Sequence, residues 1–163
     1  MMANPDEQII VLGSWQRDIV YGVMDLAAEF ARESNYGVTF NPQKVYDRLH
    51  QAFFNPEGDI ILALDDDGKV VGGAVVYACA DWQDEKFGYL EKFYLHPKTR
   101  GSGIGRMLAK KCAEWFDAND CLFSFATSTA NIGTSGHFTN MMAKFGYQSI
   151  GPTLTRKINH GKI

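Results

Sequence analysis

A strand-like run that ends at a proline and continues through alternating glycines into a helix constrains this chain more than any other stretch. It reads YLEKFYLHPKTRGSGIGRMLAKKCAEWF and covers residues 89–116. Residues 89–95 are mostly aromatic and apolar, as in a strand, and Pro97 ends the run. Glycine then occupies every other position from 101 to 105. Apolar residues recur at helical spacing on one face: Ile104, Met107, Leu108, Cys112, Trp115 and Phe116. The stretch therefore predicts a strand, a glycine turn and an amphipathic helix in succession.

The glycine turn has the features of an anion site at the start of a helix. The first N–H groups of a helix lack partners, and the macrodipole places positive charge at the same end. A phosphate can approach glycine backbone closely because no Cβ intervenes, and Lys98, Arg100 and Arg106 add positive charge. The turn therefore predicts a diphosphate cradle, with a plain strand–helix connection as the alternative. The chain has no G-x-x-x-x-G-K-[ST] motif of another phosphate loop.

The remaining patterns predict a mixed α/β fold in one domain covering residues 1–163. Asn41-Pro42 is typical of a helix start, Asp67-Gly68 of a hairpin turn and Gly146 of a helix end. Strands before and after the central helix indicate a mixed sheet with helices on both faces. The predicted strands are 9–14, 59–66, 69–80, 86–96, 121–128, which is expected to be buried, and one or two strands within 147–158. The predicted helices are 17–34, 41–55, 103–120 and 134–145.

Composition and charge argue against several classes of protein. A chain of 163 residues with 45% apolar and 21% charged residues can form one core. The net charge of −3 disfavours nucleic-acid binding. No apolar run reaches the roughly 20 residues that span a bilayer, and the first residues lack the layout of a signal peptide. The three cysteines lie in apolar runs without metal-ligand spacing and are interpreted as buried, reduced thiols. We therefore expect a cytoplasmic domain without metal, nucleic acid or membrane.

The strand–proline–glycine stretch resembles the signature of the GNAT superfamily of acyl-CoA-dependent N-acetyltransferases. That signature is an aliphatic strand end, x-Pro, and then [Q/R]-x-x-G-x-[G/A] opening a helix; here it runs from Leu95 through His96-Pro97 to Gly105. The resemblance implies a central mixed sheet of six to seven strands and acetyl-CoA as co-substrate. It implies backbone contacts from Phe93, Tyr94 and Leu95 to pantetheine and the thioester, including an N–H near Leu95 for the carbonyl oxygen. It assigns pyrophosphate binding to the turn: Arg100, Gly101, Ser102, Gly103, Ile104, Gly105 and Arg106.

Glu91 is the candidate general base. An alkylammonium has a pKa near ~10 and must lose a proton before its nitrogen can attack a thioester. Strand alternation places Glu91 on the side of Tyr89, Phe93 and Leu95, and Lys92 on the opposite side. The segment is most similar to the polyamine N-acetyltransferase branch, in which the equivalent Glu is assigned to base or water-relay work. The alternative is a carboxylate that faces solvent or pairs with Lys86 or Lys92.

The general acid has no single candidate. GNAT enzymes often carry a Tyr in the late helix, and Met142, which cannot donate a proton, occupies that position here. Tyr147 follows in a slot that more often belongs to the core. The proton for the leaving thiolate then comes from water or from Ser135, His137 or Asn140.

The acceptor site is weakly encoded. In GNAT proteins the loop between the first two helices usually covers the acceptor, and here it contains Glu33 and Tyr36. Glu33 favours a cationic amine, either a small molecule such as a polyamine or a peptide; an ordinary exposed loop is the alternative. The layout around this loop also resembles small phage-encoded GNAT proteins.

Acetyl transfer from acetyl-CoA to a primary amine is therefore the implied function. A GNAT-fold acyl-CoA-binding module with lost or regulatory activity is the second interpretation, motivated by Met142. The expected partners are the amine acceptor and, as a possible homodimer, a second copy of the chain.

Overall fold

The structure is a computed structural model that describes residues 8–34, 39–80, 82–126 and 135–149. Its strands are β1 (Ile9–Val11), β2 (Gly58–Leu64), β3 (Val70–Cys79), β4 (Lys86–Leu95) and β5 (Cys121–Ala126). Its helices are α1 (Arg17–Glu33), α2 (Pro42–Phe54), α3 (Ile104–Ala118) and α4 (Ser135–Ala143). The predicted element order is confirmed as far as α4.

The strands form one mixed sheet in the order β1-β2-β3-β4-β5. Neighbours from β1 to β4 are antiparallel, whereas β4 and β5 are parallel and are joined by α3. The predicted mixed sheet is therefore confirmed. The described residues contain five strands instead of the expected six to seven. Of the closing segment 147–158, only residues 147–149 are described, and these three are not in a strand.

Helices cover both faces of the sheet, as predicted. On one face, α3 and Met142 of α4 pack against a cluster that includes Ile61, Ala74 and Leu90. On the other face, α1 and α2 pack against Ile60, Leu62 and Val75. Alternate residues of β2 thus enter opposite cores, as the two-residue period of a strand requires.

Local sequence signals correctly located three of the element ends. The Asn41 side chain accepts a hydrogen bond from the Lys44 N–H at 3.1 Å, so it caps α2. Gly68 in the β2–β3 turn and Gly146 after α4 both have positive φ, at 76° and 84°. These conformations favour glycine because it has no Cβ.

The expectation of a buried β5 is wrong for the described structure. Leu122 and Phe123 are 58% and 60% exposed, and Phe125 is also exposed. The physical reason for Phe123 and Phe125, which share the face of Phe87, is that the described apolar cluster beneath α1 and α2 is built on β2 and β3 and includes no residue of β5. Phe123 and Phe125 lie against the ring of Phe87 instead of entering a core.

The cysteines are less uniformly buried than expected. Cys112 lies inside the core beneath α3, and burial raises the pKa of its thiol to about 12. Cys79 and Cys121 are half-buried at strand ends. Within the described ranges, no helix combines the length and apolar character needed to cross a bilayer.

Candidate active site

A β-bulge at Glu91 determines the local geometry of β4. Lys92 pairs with Val75 of β3, and Leu90 pairs with the next residue, Val76, so Glu91 is an extra residue without a partner on β3. A bulge of this kind shifts the alternation of side chains and increases the local twist.

The bulge overturns the expected alternation of β4. Phe93 and Leu95 pack into the core beneath α3, as does Leu90. Glu91 bonds to α2 on the other face, and Lys92 lines the same cavity as Glu91. The prediction that Glu91 shares a side with Phe93 and Leu95, opposite Lys92, is therefore wrong, because the extra residue resets the two-residue period.

Glu91 lies at the bottom of an open cavity of about 600 Å³, the Glu91 cleft, between α2 and the sheet. Its side chain is 23% exposed, and its Oε1 accepts a hydrogen bond from Arg48 Nη2 at 2.9 Å. Its Oε2 is buried and has no hydrogen-bond partner among the described residues. The carboxylate is thus neither fully solvated nor paired with Lys86 or Lys92. A buried polar oxygen without a partner is uncommon in folded proteins, and a catalytic role is one of its explanations.

Aromatic side chains form the walls of the Glu91 cleft. Tyr77 and Tyr89 line it, and the Tyr89 ring stacks on Phe125 with centroids 5.7 Å apart. Burial, and then the negative charge of Glu91, raise the pKa of the Tyr77 hydroxyl, which therefore stays protonated at neutral pH. The cleft thus combines an apolar wall with one carboxylate.

Among the described residues, the edge of β4 that faces away from β3 has no strand partner beyond Leu90. The described pairing with β5 runs as far as Leu90 and Ala126, and residues 127–134 lie outside the described ranges. The His96 N–H donates to the Val71 carbonyl of β3 at 2.8 Å. Because N–H directions alternate along extended backbone, the N–H groups of Phe93 and Leu95 point to the opposite, open edge. The Leu95 carbonyl has the same direction, and it accepts hydrogen bonds from the Arg100 guanidinium at 3.0 and 3.2 Å.

The glycine turn (residues 100–105) follows a short 3₁₀ segment, Pro97–Thr99, and leads into α3. Gly101 and Gly103 have φ of 85° and 93°, and a Cβ added at either position would meet nothing within 4 Å among the described residues. Gly103 caps α3 without any side-chain hydrogen bond. Within the described chain, the N–H groups of Gly101, Gly103 and Gly105 donate no hydrogen bond. The turn therefore presents free donors and open space at the positive end of a helix.

The other predicted members of the turn have different surroundings. Gly105 is buried, and a Cβ there would lie 2.4 Å from Leu95 Cδ1, so this glycine permits the close packing of α3 on β4. Ile104 is also buried, and the Ser102 hydroxyl donates back to the Thr99 carbonyl. Arg106 is exposed beside the free N–H groups.

Glu33, predicted to bind the acceptor, forms an ion pair with Arg100, predicted to bind the cofactor. Two guanidinium nitrogens of Arg100 donate to the Glu33 carboxylate at 2.6 and 3.1 Å. The Tyr94 hydroxyl donates to Glu33 at 2.7 Å, and the Arg100 guanidinium lies 5.3 Å from the Tyr94 ring centroid. Burial and this bond to Glu33 raise the pKa of Tyr94. The end of α1 is thereby tied to the end of β4.

Helix α4 places no proton donor of the described residues in the Glu91 cleft. Met142 is 2% exposed and belongs to the core with α3. His137 and Asn140 are exposed. The Tyr147 hydroxyl accepts a hydrogen bond from Ser124 at 2.8 Å, and burial raises its pKa. The Ser135 side chain and the whole of Tyr36 lie outside the described residues.

Sequence reasoning missed Arg48 and Tyr77 as neighbours of Glu91, whereas it placed Tyr89 on the same side of β4 as Glu91, and the two line the same cleft. A partial signal for Tyr77 existed in the sequence. Tyr77 and Tyr89 lie on two strands that follow each other in the chain, and these strands, β3 and β4, pair in the sheet. Arg48 lies 43 positions before Glu91 on a separate helix, and periodicity carries no information about that contact. The described residues contain no cluster of three or more His, Cys, Asp or Glu side chains suited to a metal ion.

Comparison with known proteins gives the class of the chain. The model of the acetyltransferase (GNAT) family matches residues 22–147. The chain therefore belongs to the GNAT acetyltransferase family.

A curated relative is an aminoglycoside N(6')-acetyltransferase type 1 of Stenotrophomonas maltophilia, 34% identical over 73 residues. The alignment covers 42% of this chain and 48% of that enzyme, so the chain matches about half of the relative's length.

Solved structures share the fold at low identity. An integron cassette protein from the mobile metagenome of Cole Harbour Salt Marsh has a TM-score of 0.74 at 15% identity, covering 98% of this chain and 95% of that one. An aminoglycoside 6'-N-acetyltransferase from Acinetobacter haemolyticus has a TM-score of 0.65 at 17% identity, covering 93% and 99%. At these identities the likeness concerns the arrangement of the elements.

The Glu33–Arg100 pair predicts a pH-dependent stability. Hydrogen bonding to Arg100 holds the pKa of Glu33 below its ordinary value of 4.5 in the folded protein. A lowered pKa in the folded state stabilises the fold above the unfolded-state pKa, and the effect disappears as pH falls through the folded-state pKa. Because both side chains are more than a third exposed, Glu33→Gln should reduce the free energy of unfolding at pH 7 by at most about 1 kcal/mol. Urea unfolding should show this difference vanishing toward pH 3.

The matched control is Glu114→Gln, in an exposed helical pair with Lys110, which should change the free energy by a few tenths of a kcal/mol. A Glu33→Gln difference that stays constant or grows between pH 7 and pH 3 would contradict the assigned ion pair.

Proposed function

We propose that this protein transfers an acetyl group from acetyl-CoA to a primary amine of a small molecule. The observation that carries the proposal is the position of Glu91 beside the open edge of β4. Among the described residues, the N–H groups of that edge have no partner and the edge ends at the glycine turn, while the carboxylate has a buried oxygen that none of them bonds. Membership of the acetyltransferase family supports the same reaction class.

The residues of the glycine turn fit the diphosphate of acetyl-CoA. Three free glycine N–H groups and the start of α3 supply donors and positive potential, and the open space at Gly101 and Gly103 admits phosphate oxygens. The exposed Arg106 adds a charge. The backbone of Phe93 and Leu95 would bond the pantetheine arm. Arg100 acts indirectly in this proposal, because its guanidinium is already bound to Glu33 and to the Leu95 carbonyl.

Acetyl-CoA supplies an activated thioester, and the chain supplies proton transfer and positioning. The substrate ammonium gives one proton to the Glu91 carboxylate. The neutral nitrogen attacks the thioester carbonyl carbon, so a C–N bond forms and the C–S bond breaks. The Leu95 N–H donates to the carbonyl oxygen, where negative charge develops. The nitrogen loses its second proton, the thiolate takes one proton from water, and one proton is released overall.

Water is the preferred proton source because Met142 is buried in the core. This feature also favours a second candidate function, an acyl-CoA-binding module with lost or regulatory activity. Saturable CoA binding without turnover on any amine would support that candidate, whereas thioester cleavage coupled to amide formation would exclude it.

The comparison with an aminoglycoside N-acetyltransferase makes small amines the first acceptors to assay. The cavity of about 600 Å³ is of the size that holds small molecules.

Gly103→Ala tests the proposed diphosphate site. The new Cβ would stand in the open space that phosphate oxygens would occupy, so we expect the Kd for CoA to rise at least tenfold, which is about 1.4 kcal/mol. The control is Gly68→Ala, which places alanine at a similar positive φ in a distant turn with equally open surroundings. Isothermal titration calorimetry with CoA gives both affinities. Equal affinity in folded Gly103→Ala, Gly68→Ala and the unaltered protein would contradict the site.

Glu91→Gln tests the proposed base. The substitution keeps the shape of the side chain and removes its basicity, so kcat should fall about 10²-fold at neutral pH. The Kd for CoA should stay within about twofold. The loss should shrink as pH rises toward ~10, since free amine then becomes available without a base. Steady-state release of CoA thiol between pH 6.5 and 9.5 measures both effects.

The matched control is Glu114→Gln, which alters an exposed carboxylate on α3 and should leave kcat unchanged. Lys92 is unsuitable as a control because it lines the Glu91 cleft. A Glu91→Gln protein with unaltered kcat and pH profile would show that another group removes the proton.

A further inference from the structure

The charge balance of the Glu91 cleft differs from that expected for a polycationic acceptor. Arg48 and Lys92 contribute two positive charges, and Glu91 contributes one negative charge. The Lys92 side chain is exposed and makes no ion pair within the described residues. After the Arg48–Glu91 pair is counted, one positive charge remains in the cleft.

Arg48 is held in place and still has donors to offer. Its Nη2 donates to Glu91 Oε1 at 2.9 Å, and its Nη1 donates to Gln51 Oε1 at 3.1 Å. A guanidinium carries five N–H donors in a fixed plane, so three remain on a side chain that is 61% exposed. A fixed planar guanidinium is well suited to recognise carboxylate or phosphate oxygens.

The acidic groups that could attract a polycation are placed elsewhere. Glu33 is bound to Arg100 and Tyr94. Asp84 and Glu85 line a separate cavity together with Asp117. Among the described residues, Glu91 is the one carboxylate that lines the Glu91 cleft.

We propose that the acceptor is a primary amine that also carries a carboxylate or phosphate group. Its anionic group binds Arg48 and Lys92, and its ammonium group donates to the Glu91 carboxylate, whose side chain is 23% exposed. The stacked rings of Tyr89 and Phe125 contact the carbon chain that joins the anionic group of the substrate to its ammonium group. This inference rests on the proposed acetyl transfer and specifies its substrate class.

The test uses pairs of amines that differ in the anionic group. γ-Aminobutyrate is compared with butylamine, and phosphoethanolamine with ethanolamine; spermidine represents polycations. We expect kcat/KM to be at least tenfold higher for the anionic member of at least one pair, and the pair with the larger ratio identifies carboxylate or phosphate as the anion. Spermidine should be a poorer substrate than either anionic amine.

Lys92→Gln supplies the residue-specific arm of the test. It should reduce the ratio of kcat/KM between the anionic amine and its neutral partner at least fivefold. Lys86→Gln is the matched control, because Lys86 lies on the same strand but lines the other cavity. Calorimetric Kd values for the same amines, with CoA present, report binding independently of turnover.

The outcomes separate the two proposals. Acetylation that favours butylamine, ethanolamine or spermidine, or a preference unchanged in Lys92→Gln, overturns this inference and leaves acetyl transfer standing. Lys92-dependent binding of an anionic amine without any acetylation supports the anion site and overturns the proposed activity. Absence of both binding and acetylation for the whole panel overturns both.

Discussion

Glu91 has no partner on β3, and the missing pair changes the direction of every later side chain in β4. Before the bulge, Leu90 pairs with Val76 and faces α3. After it, Glu91 and Lys92 both lie toward α2, whereas Phe93 returns to the core beneath α3. One extra residue thus separates a polar cleft on one face from an apolar core on the other.

Long-range polar contacts then hold the two ends of this strand. Arg48 of α2 bonds to Glu91, and Glu33 at the end of α1 bonds to Arg100 and Tyr94. Arg100 in turn bonds to the carbonyl of Leu95. The helices on one face therefore position both the candidate base and the glycine turn. A change in α1 can act on the proposed cofactor site through these contacts even though α1 does not line it.

Features with a local cause could be predicted from the sequence. The cap at Asn41, the turn at Gly68 and the helix after Gly103 each depend on residues within a few positions. The position of the glycine turn was also predicted correctly, because the positive φ of Gly101 and Gly103 favours glycine.

Features set by tertiary contacts could not be predicted in this way. Nothing in the run YLEKFYL marks Glu91 as the bulged residue, so simple alternation gave the wrong side for Phe93 and Leu95. The Glu33–Arg100 pair joins residues 67 positions apart, and the packing of Gly105 on Leu95 depends on how α3 meets β4. The exposure of Phe123 and Phe125 likewise depends on where α1 and α2 pack, since the described cluster beneath these helices includes no residue of β5.

The central claim is that the open edge of β4 and the glycine turn together bind an acyl-CoA. Backbone amide chemical shifts of ¹⁵N-labelled protein, followed during titration with CoA, test it most directly. The account predicts saturable shifts concentrated at the amides of Phe93, Leu95, Gly101 and Gly103, with Gly68 unchanged. Saturable shifts confined to other regions, or no shifts at millimolar CoA, would contradict it.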